Sequence, residues 1–242
     1  MKNKIHRPVL SFLLLWVFFF TQLVFAGQTE SRSLLDLPVA HQAKSGDLVD
    51  LLTFVATQFH VPVIGELAQP LPKNLNIPPG THTARELFDL IFKKANRNTW
   101  DAAGNVAHVY DKSLLKSPKN FLNARLKSFQ MPGSVGELER SLPAVLPDIN
   151  GVMHEGIATT GLTDPYLSKI TLPSKTVHNV TAREILFQAA QASSNFYSII
   201  VFPNARPRTQ ADYDSAYGNW LWRALDSKGA DKVYVQNPPS RR

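Results

Sequence analysis

The feature that most constrains the fold of this chain is a five-residue motif that occurs twice. Residues 83–87 read Thr-Ala-Arg-Glu-Leu, and residues 181–185 read Thr-Ala-Arg-Glu-Ile, 98 positions later. In both copies the threonine can accept a hydrogen bond from the backbone N–H three residues on, and the glutamate there can reach back to the threonine N–H. Each copy therefore predicts a helix start, and the repetition predicts two versions of one small module.

The residues around each copy extend this duplication. Before the first copy, apolar residues at helical spacing follow Ser45 or Asp47 and predict a helix, and short strands are predicted at 60–64 and 75–77. The proline in 60–64 suggests an edge strand. A hairpin is predicted over 98–110.

The second half repeats the order of elements. Ser134 and Glu137 form another capping pattern, which predicts a helix that Pro143 kinks or shortens. Strands are predicted at 169–172, before the second motif, and at 196–202, where a continuous apolar run indicates a central position.

These patterns predict an α+β fold of two small repeated modules, each with two helices packed on small β-sheets, plus a C-terminal helix. The predicted boundaries are 27–112 for the first module, 113–130 for a basic linker, 131–226 for the second module, and 227–242 for a tail. The second module contains a long loop at 147–168 and the C-terminal helix at 209–225. A loop of that length in a compact domain is usually functional.

The N-terminus has the pattern of a secretory signal peptide covering residues 1–26. Three basic residues precede a nearly unbroken apolar run at 9–25, and small residues stand at Val24 and Ala26 before the expected cleavage point. We therefore expect a periplasmic or secreted protein. The alternative is an inner-membrane anchor through residues 9–25, because that run has close to the length of a membrane span.

Composition excludes several classes of site. The chain has no cysteine, which removes disulfides, thiolate catalysis and thiolate metal ligands. Beyond the N-terminal segment, 23 basic residues face 19 acidic ones. This small excess does not predict nucleic-acid binding, which requires a clustered basic stripe. The oligomeric state is left open.

Residues 47–111 resemble the short N-terminal (STN) domain of bacterial secretins and TonB-dependent receptors. The resemblance rests on Leu-Val-Asp-Leu-Leu at 48–52, Phe-His-Val-Pro-Val at 59–63, residues 75–90 with the first capping motif, and the 100–110 segment. A weaker second copy covers about 134–203. The resemblance implies a small periplasmic α+β module that docks on other proteins. The chain has no room for the receptor barrel or the secretin pore, so only the docking character is expected here.

No catalytic signature was found, and we expect no catalytic residue, no cofactor and no metal site. The candidate interaction surface has two parts. The first is the basic stretch with Lys112, Lys116 and Lys119, which suits an acidic partner or anionic lipid headgroups. The second is a set of C-terminal aromatic residues, among which Trp222 is expected to be exposed. These are Tyr213, Tyr217, Trp220 and Trp222.

The two arginines of the repeated motif lie where a helix dipole favours acids, so Arg85 and Arg183 are expected to form ion pairs with other elements. The sequence thus predicts a non-enzymatic protein of the bacterial envelope that acts as a periplasmic docking or assembly module, with an envelope protein as its partner. The alternative is a periplasmic hydrolase of cell-wall or carbohydrate material, with its site between the modules near 147–168.

Overall fold

A computed structural model describes residues 33–95, 97–118, 120–146, 164–202 and 220–225. The predicted signal peptide, the first part of loop 147–168, residues 209–219 of the predicted C-terminal helix and the predicted tail lie outside these residues. The described residues from Leu34 onward belong to one compact unit. None of the described helices has the length and apolar character needed to cross a membrane.

The described part of the chain contains eleven strands and four α-helices. The strands are β1 (Val39–His41), β2 (Lys44–Gly46), β3 (Val63–Ala68), β4 (Leu75–Ile77), β5 (Gly80–His82), β6 (Asn98–Ala103), β7 (Val106–Asp111), β8 (Arg125–Met131), β9 (Lys175–Thr181), β10 (Phe196–Phe202) and β11 (Trp220–Ala224). The helices are α1 (Leu48–Phe59), α2 (Ala84–Phe92), α3 (Val135–Val145) and α4 (Ala182–Ser193). The α+β class predicted from the sequence is confirmed.

A mixed five-stranded sheet forms the centre of the unit, in the order β11-β10-β3-β7-β6. Strand β3 is parallel to both of its neighbours, β10 and β7, and the outer strands β11 and β6 run antiparallel to theirs. Three two-stranded ribbons, β1–β5, β2–β4 and β8–β9, complete the described strands.

Side chains of the central strands alternate between two cores. In β3, Val63 and Leu67 pack with α1 and α2, whereas Ile64 and Ala68 lie in the cluster formed with α3, α4 and the β8–β9 ribbon. The alternation follows from the two-residue period of a strand. Because both faces are covered, the strands are apolar on both sides, which explains the continuous apolar run of β10.

The central sheet combines strands from both predicted modules, whose relative packing the sequence left open. Strands β3, β6 and β7 come from the predicted first module, and β10 and β11 come from the second. The strand predicted at an edge because of Pro62 is instead the middle strand of the sheet. Pro62 lies just before β3 begins at Val63, so its missing N–H removes no bond from the ladder.

Both copies of the repeated motif form complete capping boxes, as predicted. Thr83 accepts from the Glu86 N–H and Thr181 from the Glu184 N–H, and both glutamates reach back to the cap N–H. Asp47 rather than Ser45 caps α1. In each half, an antiparallel ribbon strand directly precedes the capped helix: β5 before α2, and β9 before α4.

Two predicted segments differ from the structure. Much of the predicted linker 113–130 is ordered into the fold, because Arg125–Met131 forms β8 and pairs with β9. The strand predicted at 169–172 is reduced to a single bridge between Thr171 and Ser134. Pro173 has no N–H to extend that pairing, and the strand of this region starts after it, at Lys175.

The described end of the predicted C-terminal helix is a strand. Trp220–Ala224 pairs antiparallel with β10. Trp220, Trp222 and Ala224 contact the same core cluster, and Leu221 packs into the other one. This period of two is the strand pattern, and the prediction of a helix through residue 225 is wrong for these residues.

We expect the two halves of the chain to unfold together, because each half supplies strands to the same sheet. In urea, hydrogen–deuterium exchange read by mass spectrometry should expose peptides from β7 and from β10 at the same urea concentration. Two separate midpoints would show instead that the halves are independent modules.

Candidate functional site

The two arginines of the repeated motif have different partners. Arg85 donates from Nε to Asp36 Oδ1 over 2.7 Å and from Nη2 to Asp36 Oδ2 over 3.2 Å. The two side chains are 42% and 44% exposed. Arg183 instead pairs with Glu66 of β3, and these side chains are 17% and 0% exposed. The predicted ion pairs are confirmed, and the second copy carries its pair into the core.

Glu66 lies at the centre of a buried polar cluster, defined here as Glu66, His108, Asn120, Asn123 and Arg183. Oε1 of Glu66 accepts from Arg183 Nε at 2.5 Å and contacts His108 Nε2 at 2.9 Å. Oε2 accepts from Arg183 Nη2 at 2.7 Å and from Asn120 Nδ2 at 2.6 Å. The carboxylate therefore has two partners on each oxygen.

The rest of the cluster extends from Arg183 to the chain between β7 and β8. Arg183 Nη1 donates to Asn123 Oδ1 at 2.7 Å and its Nη2 to the Leu115 carbonyl at 3.4 Å. Asn123 Nδ2 donates to the Ser117 carbonyl at 2.9 Å. One guanidinium thus connects α4, β3 and the segment that leads to β8.

These contacts set the charge of Glu66. Burial favours the neutral acid and would raise the pKa of Glu66, but hydrogen bonds from Arg183 and His108 outweigh it and lower the pKa to about 2. A carboxylate that is ionised and has four partners is a weak proton acceptor. All four lone-pair positions of Glu66 are occupied, so none is free to accept a proton from a substrate. The contacts of the cluster therefore hold β3, α4 and the segment that leads to β8 in fixed positions.

The predicted basic surface is partly described. Lys112 and Lys116 are exposed, and Lys119 lies outside the described residues. Arg125 and Lys127 on β8 are exposed as well. The segment 112–127 is held against the body by Asn120, Asn123 and Arg183 of the buried polar cluster, so these cations stand on a fixed backbone.

The two tryptophans of the predicted aromatic surface are not exposed. Trp222 is 1% exposed and stacks on Phe196, with ring centroids 5.7 Å apart, so its predicted exposure is wrong. Trp220 is half-buried and donates from Nε1 to Ser198 Oγ at 2.8 Å. The strand period turns both rings into the core. Tyr213 and Tyr217 lie outside the described residues.

A second carboxylate with unusual electrostatics lies on α3, near the predicted insert. Burial raises the pKa of Glu139 to about 7, with Arg223 and Arg140 opposing the shift and Asp164 adding to it. Its Oε2 is buried and has no hydrogen-bond partner among the described residues. Nearby, each carboxylate oxygen of Asp164 accepts a backbone hydrogen bond, Oδ1 from the Tyr166 N–H and Oδ2 from the Ala224 N–H.

Sequence reasoning did not identify Glu66, His108 or Asn120. One signal was present: Glu66 stands inside the run Val-Ile-Gly-Glu-Leu-Ala, and a charged residue in a fully buried strand is almost always paired. The sequence also indicated that Arg183, the partner of Glu66, pairs with another element, because its position at a helix start gives it no local role. What the sequence could not supply was the parallel pairing of β3 with β10, which brings these two residues together across 117 positions.

Comparisons with known proteins do not assign this chain to a family. A scan against protein-family models found no matching family, and searches of curated proteins and of solved structures found no match to this chain. The resemblance of residues 47–111 to the STN domain therefore stays a prediction.

We expect Glu66→Gln to lower the free energy of unfolding by roughly 3–5 kcal/mol. The amide presents N–H groups to donors and leaves the largely buried Arg183 uncompensated. Asp36→Asn, which breaks the ion pair of Arg85, is the matched control and should have a much smaller effect because that pair is exposed. Urea denaturation at pH 7 measures both. Equal losses would show that the buried cluster has no special role.

The same variant has a defined pH dependence. The pKa of Glu66 lies below its ordinary value of 4.5, so its ionised form adds stability above about pH 4.5. That contribution is lost as the pH falls toward 2. The difference in unfolding free energy between the wild type and Glu66→Gln should therefore shrink between pH 4.5 and pH 2. A difference that stays constant over this range would contradict the assigned charge.

At alkaline pH, Glu139→Gln should raise the free energy of unfolding, whereas Glu66→Gln lowers it. Because burial raises the pKa of Glu139 to about 7, the charged form that prevails at pH 8 destabilises the fold. The variant should be more stable than the wild type at pH 8 and close to it at pH 4.5, as measured by urea denaturation. Glu137→Gln, at an exposed position of the same helix, is the control. A loss of stability at pH 8 would refute the assignment.

Proposed function

We propose that this protein is an exported, non-enzymatic docking or assembly component of the bacterial envelope, and that it binds an acidic surface of a partner protein through segment 112–127. Export is supported by the signal-peptide pattern of residues 1–26. The observation that carries the binding role is the anchoring of segment 112–127, which contains no acidic residue. Its exposed cations are Lys112, Lys116, Arg125 and Lys127.

The anchoring favours recognition because the segment is already ordered. Asn120 donates to Glu66, and Asn123 donates to the Ser117 carbonyl, so the backbone between β7 and β8 needs little further ordering when a partner binds. A preordered surface loses less conformational entropy on association. Fixed charges of one sign also steer an oppositely charged partner and raise the association rate.

Two contacts hold the backbone next to Lys116 and Arg125 against the body of the protein. Ser117, next to Lys116, is hydrogen-bonded to Asn123, two residues before Arg125. The Ala182 N–H also donates to the Ala124 carbonyl at 3.2 Å. The turn after β7 and the start of β8 therefore lie side by side, next to the first turn of α4.

An acidic protein surface fits this segment better than a lipid surface. Stable binding of a peripheral protein to a membrane combines basic charge with inserted apolar side chains or lipid anchors. The large hydrophobic side chains that are exposed in the described residues are Leu37, Val145 and Tyr166, and none belongs to this segment. Apart from Pro118, its exposed described side chains are polar or charged.

A charge-reversal pair tests the proposal. Lys116→Glu with Arg125→Glu should abolish, or reduce at least tenfold, the capture of a specific protein from periplasmic extract at low salt. Lys44→Glu with Lys73→Glu reverses two exposed lysines elsewhere and should leave capture unchanged. Capture by the wild type should also weaken as salt is raised, because exposed charges are screened.

The opposite results have clear meanings. Equal loss in both pairs would indicate nonspecific charge attraction. Retention of the partner by the Lys116–Arg125 pair would refute this surface. Binding of the wild type to anionic vesicles, with no captured protein, would favour a lipid surface over a protein partner.

Glu139 supports a second candidate, a hydrolase of cell-wall or carbohydrate material. A glycosidase needs one carboxyl group that stays protonated near neutral pH, and burial raises the pKa of Glu139 to about 7. Release of soluble sugar from purified peptidoglycan, abolished by Glu139→Gln and retained by Glu137→Gln, would support this function. No release by the wild type over the pH range 5–8 would reject it.

A further inference from the structure

The two edges of the central sheet differ in how their outward backbone groups are satisfied. Strand β11 forms one edge, and side chains occupy its outward groups. The Ala224 N–H donates to Asp164 Oδ2 at 3.1 Å. The Trp222 carbonyl accepts from Arg223 Nη1 at 3.1 Å. Such contacts protect an edge strand from pairing with another chain. Strand β6 forms the other edge of the sheet.

The backbone bonds of β7 show which groups of β6 point outward. The Ala107 N–H donates to the Pro62 carbonyl, so Ala107 bonds towards β3 and not towards β6. The Lys112 N–H donates to the Arg97 carbonyl, so this pair is bonded across β6 and β7. Bonded and non-bonded pairs alternate along an antiparallel ladder. The β6 residues whose N–H and C=O groups point away from β7 are therefore Asn98, Trp100 and Ala102.

The outward edge of β6 has free backbone donors and acceptors. The Asn98 N–H donates to the Ala95 carbonyl at 2.7 Å. The N–H groups of Trp100 and Ala102 have no hydrogen-bond partner among the described residues, nor do the carbonyls of Asn98, Trp100 and Ala102. Asp101 and Ala102 are exposed, so this edge reaches the surface of the protein. An edge with unpaired groups is a template for another strand.

We propose that β6 pairs antiparallel with β6 of a second copy of this chain, about a two-fold axis at Trp100, and joins the two central sheets into one. In this register Trp100 is opposite Trp100 of the second copy, and Ala102 is opposite Asn98. The free N–H of Trp100 then donates to the other Trp100 carbonyl, and that of Ala102 to the Asn98 carbonyl. The free donors and acceptors are thus self-complementary, as a two-fold interface requires. This pairing does not depend on the proposed docking surface.

The charged side chains favour this register over the neighbouring one. A two-fold axis at Asp101 would satisfy the same N–H groups, but it would place Asp101 directly opposite its own copy, and like charges there are destabilising. With the axis at Trp100, Asp101 is opposite Thr99 of the second copy, whose hydroxyl can donate to the carboxylate. Arg97 then lies diagonally across from Asp101, and its side chain is 51% exposed. Opposite charges therefore meet across the interface.

The indole ring of Trp100 is already fixed at the proposed axis. Its Nε1 donates to Asp89 Oδ1 at 2.9 Å, and its centroid lies 4.9 Å from that of Phe88. The Arg85 guanidinium lies 5.6 Å from the same centroid. The side chain is half-buried, so part of the ring can contact its copy directly across the axis. A ring held by its own chain loses little conformational freedom when the second copy binds.

Sedimentation equilibrium of the purified full chain tests the pairing. The wild type should form a dimer, and Ala102→Pro should raise its dissociation constant at least tenfold. Proline there removes only an outward N–H, which an edge strand tolerates, so the bonds to β7 remain. Ala102→Ser keeps the N–H and is the control, with an unchanged dissociation constant. Circular dichroism checks that both variants are folded. A wild type that stays monomeric, or equal dissociation constants for the two variants, would overturn the proposal.

Engineered cysteines test the register, because the chain has none of its own. Thr99→Cys protein mixed with Asp101→Cys protein should form a disulfide-linked dimer under mild oxidation, seen on a non-reducing gel. In the proposed register these positions are a directly opposed, non-hydrogen-bonded pair with Cα atoms about 4.5 Å apart. Each variant alone should cross-link far less, because identical residues are diagonal and about 7–8 Å apart. Efficient cross-linking of Asp101→Cys alone, or none in the mixture, would refute the axis at Trp100.

Discussion

The fold depends on one buried charge. Glu66 has no exposed side-chain surface, and an unpaired carboxylate in such a place would cost several kcal/mol. Arg183, His108 and Asn120 offset that cost, but they come from three other elements. The charge is therefore compensated only when the central sheet, α4 and the segment after β7 are all assembled. This requirement penalises partly folded states in which one half of the chain is formed without the other.

The same constraint explains why the two copies of the repeated motif have different ion-pair partners. Thr83 and Thr181 keep the same capping role, since any helix start benefits from it. The arginine that follows each threonine by two positions, Arg85 or Arg183, has different neighbours in the two copies. Arg85 reaches an exposed aspartate before β1 and also lies 5.6 Å from the ring of Trp100. Arg183 faces the sheet and compensates Glu66. The capping contacts are therefore the same in both copies, whereas the long-range ion pair depends on the elements that surround each arginine.

The sequence was most informative where structure is decided locally. Capping boxes, the buried face of α1 and the central strand β10 all follow from spacing within a dozen residues. It was least informative where pairing is distant. The linker around Arg125 becomes a strand only because β9 lies beside it, and Trp222 is buried only because its segment pairs with β10. Neither partner can be identified from propensity, and short apolar runs suit helices and strands alike.

The basic surface and the buried charge are connected through the same atoms. Asn120 contacts Glu66 directly, and Arg183 contacts both Glu66 and Asn123, so the backbone that carries Lys116 is held by the residues that neutralise the core. A change at Glu66 should therefore alter the ordering of an exposed segment whose own residues are untouched. Under the proposed docking role, recognition by this surface would therefore require a fully folded core, because Arg183 holds the basic segment only while it is itself paired with Glu66.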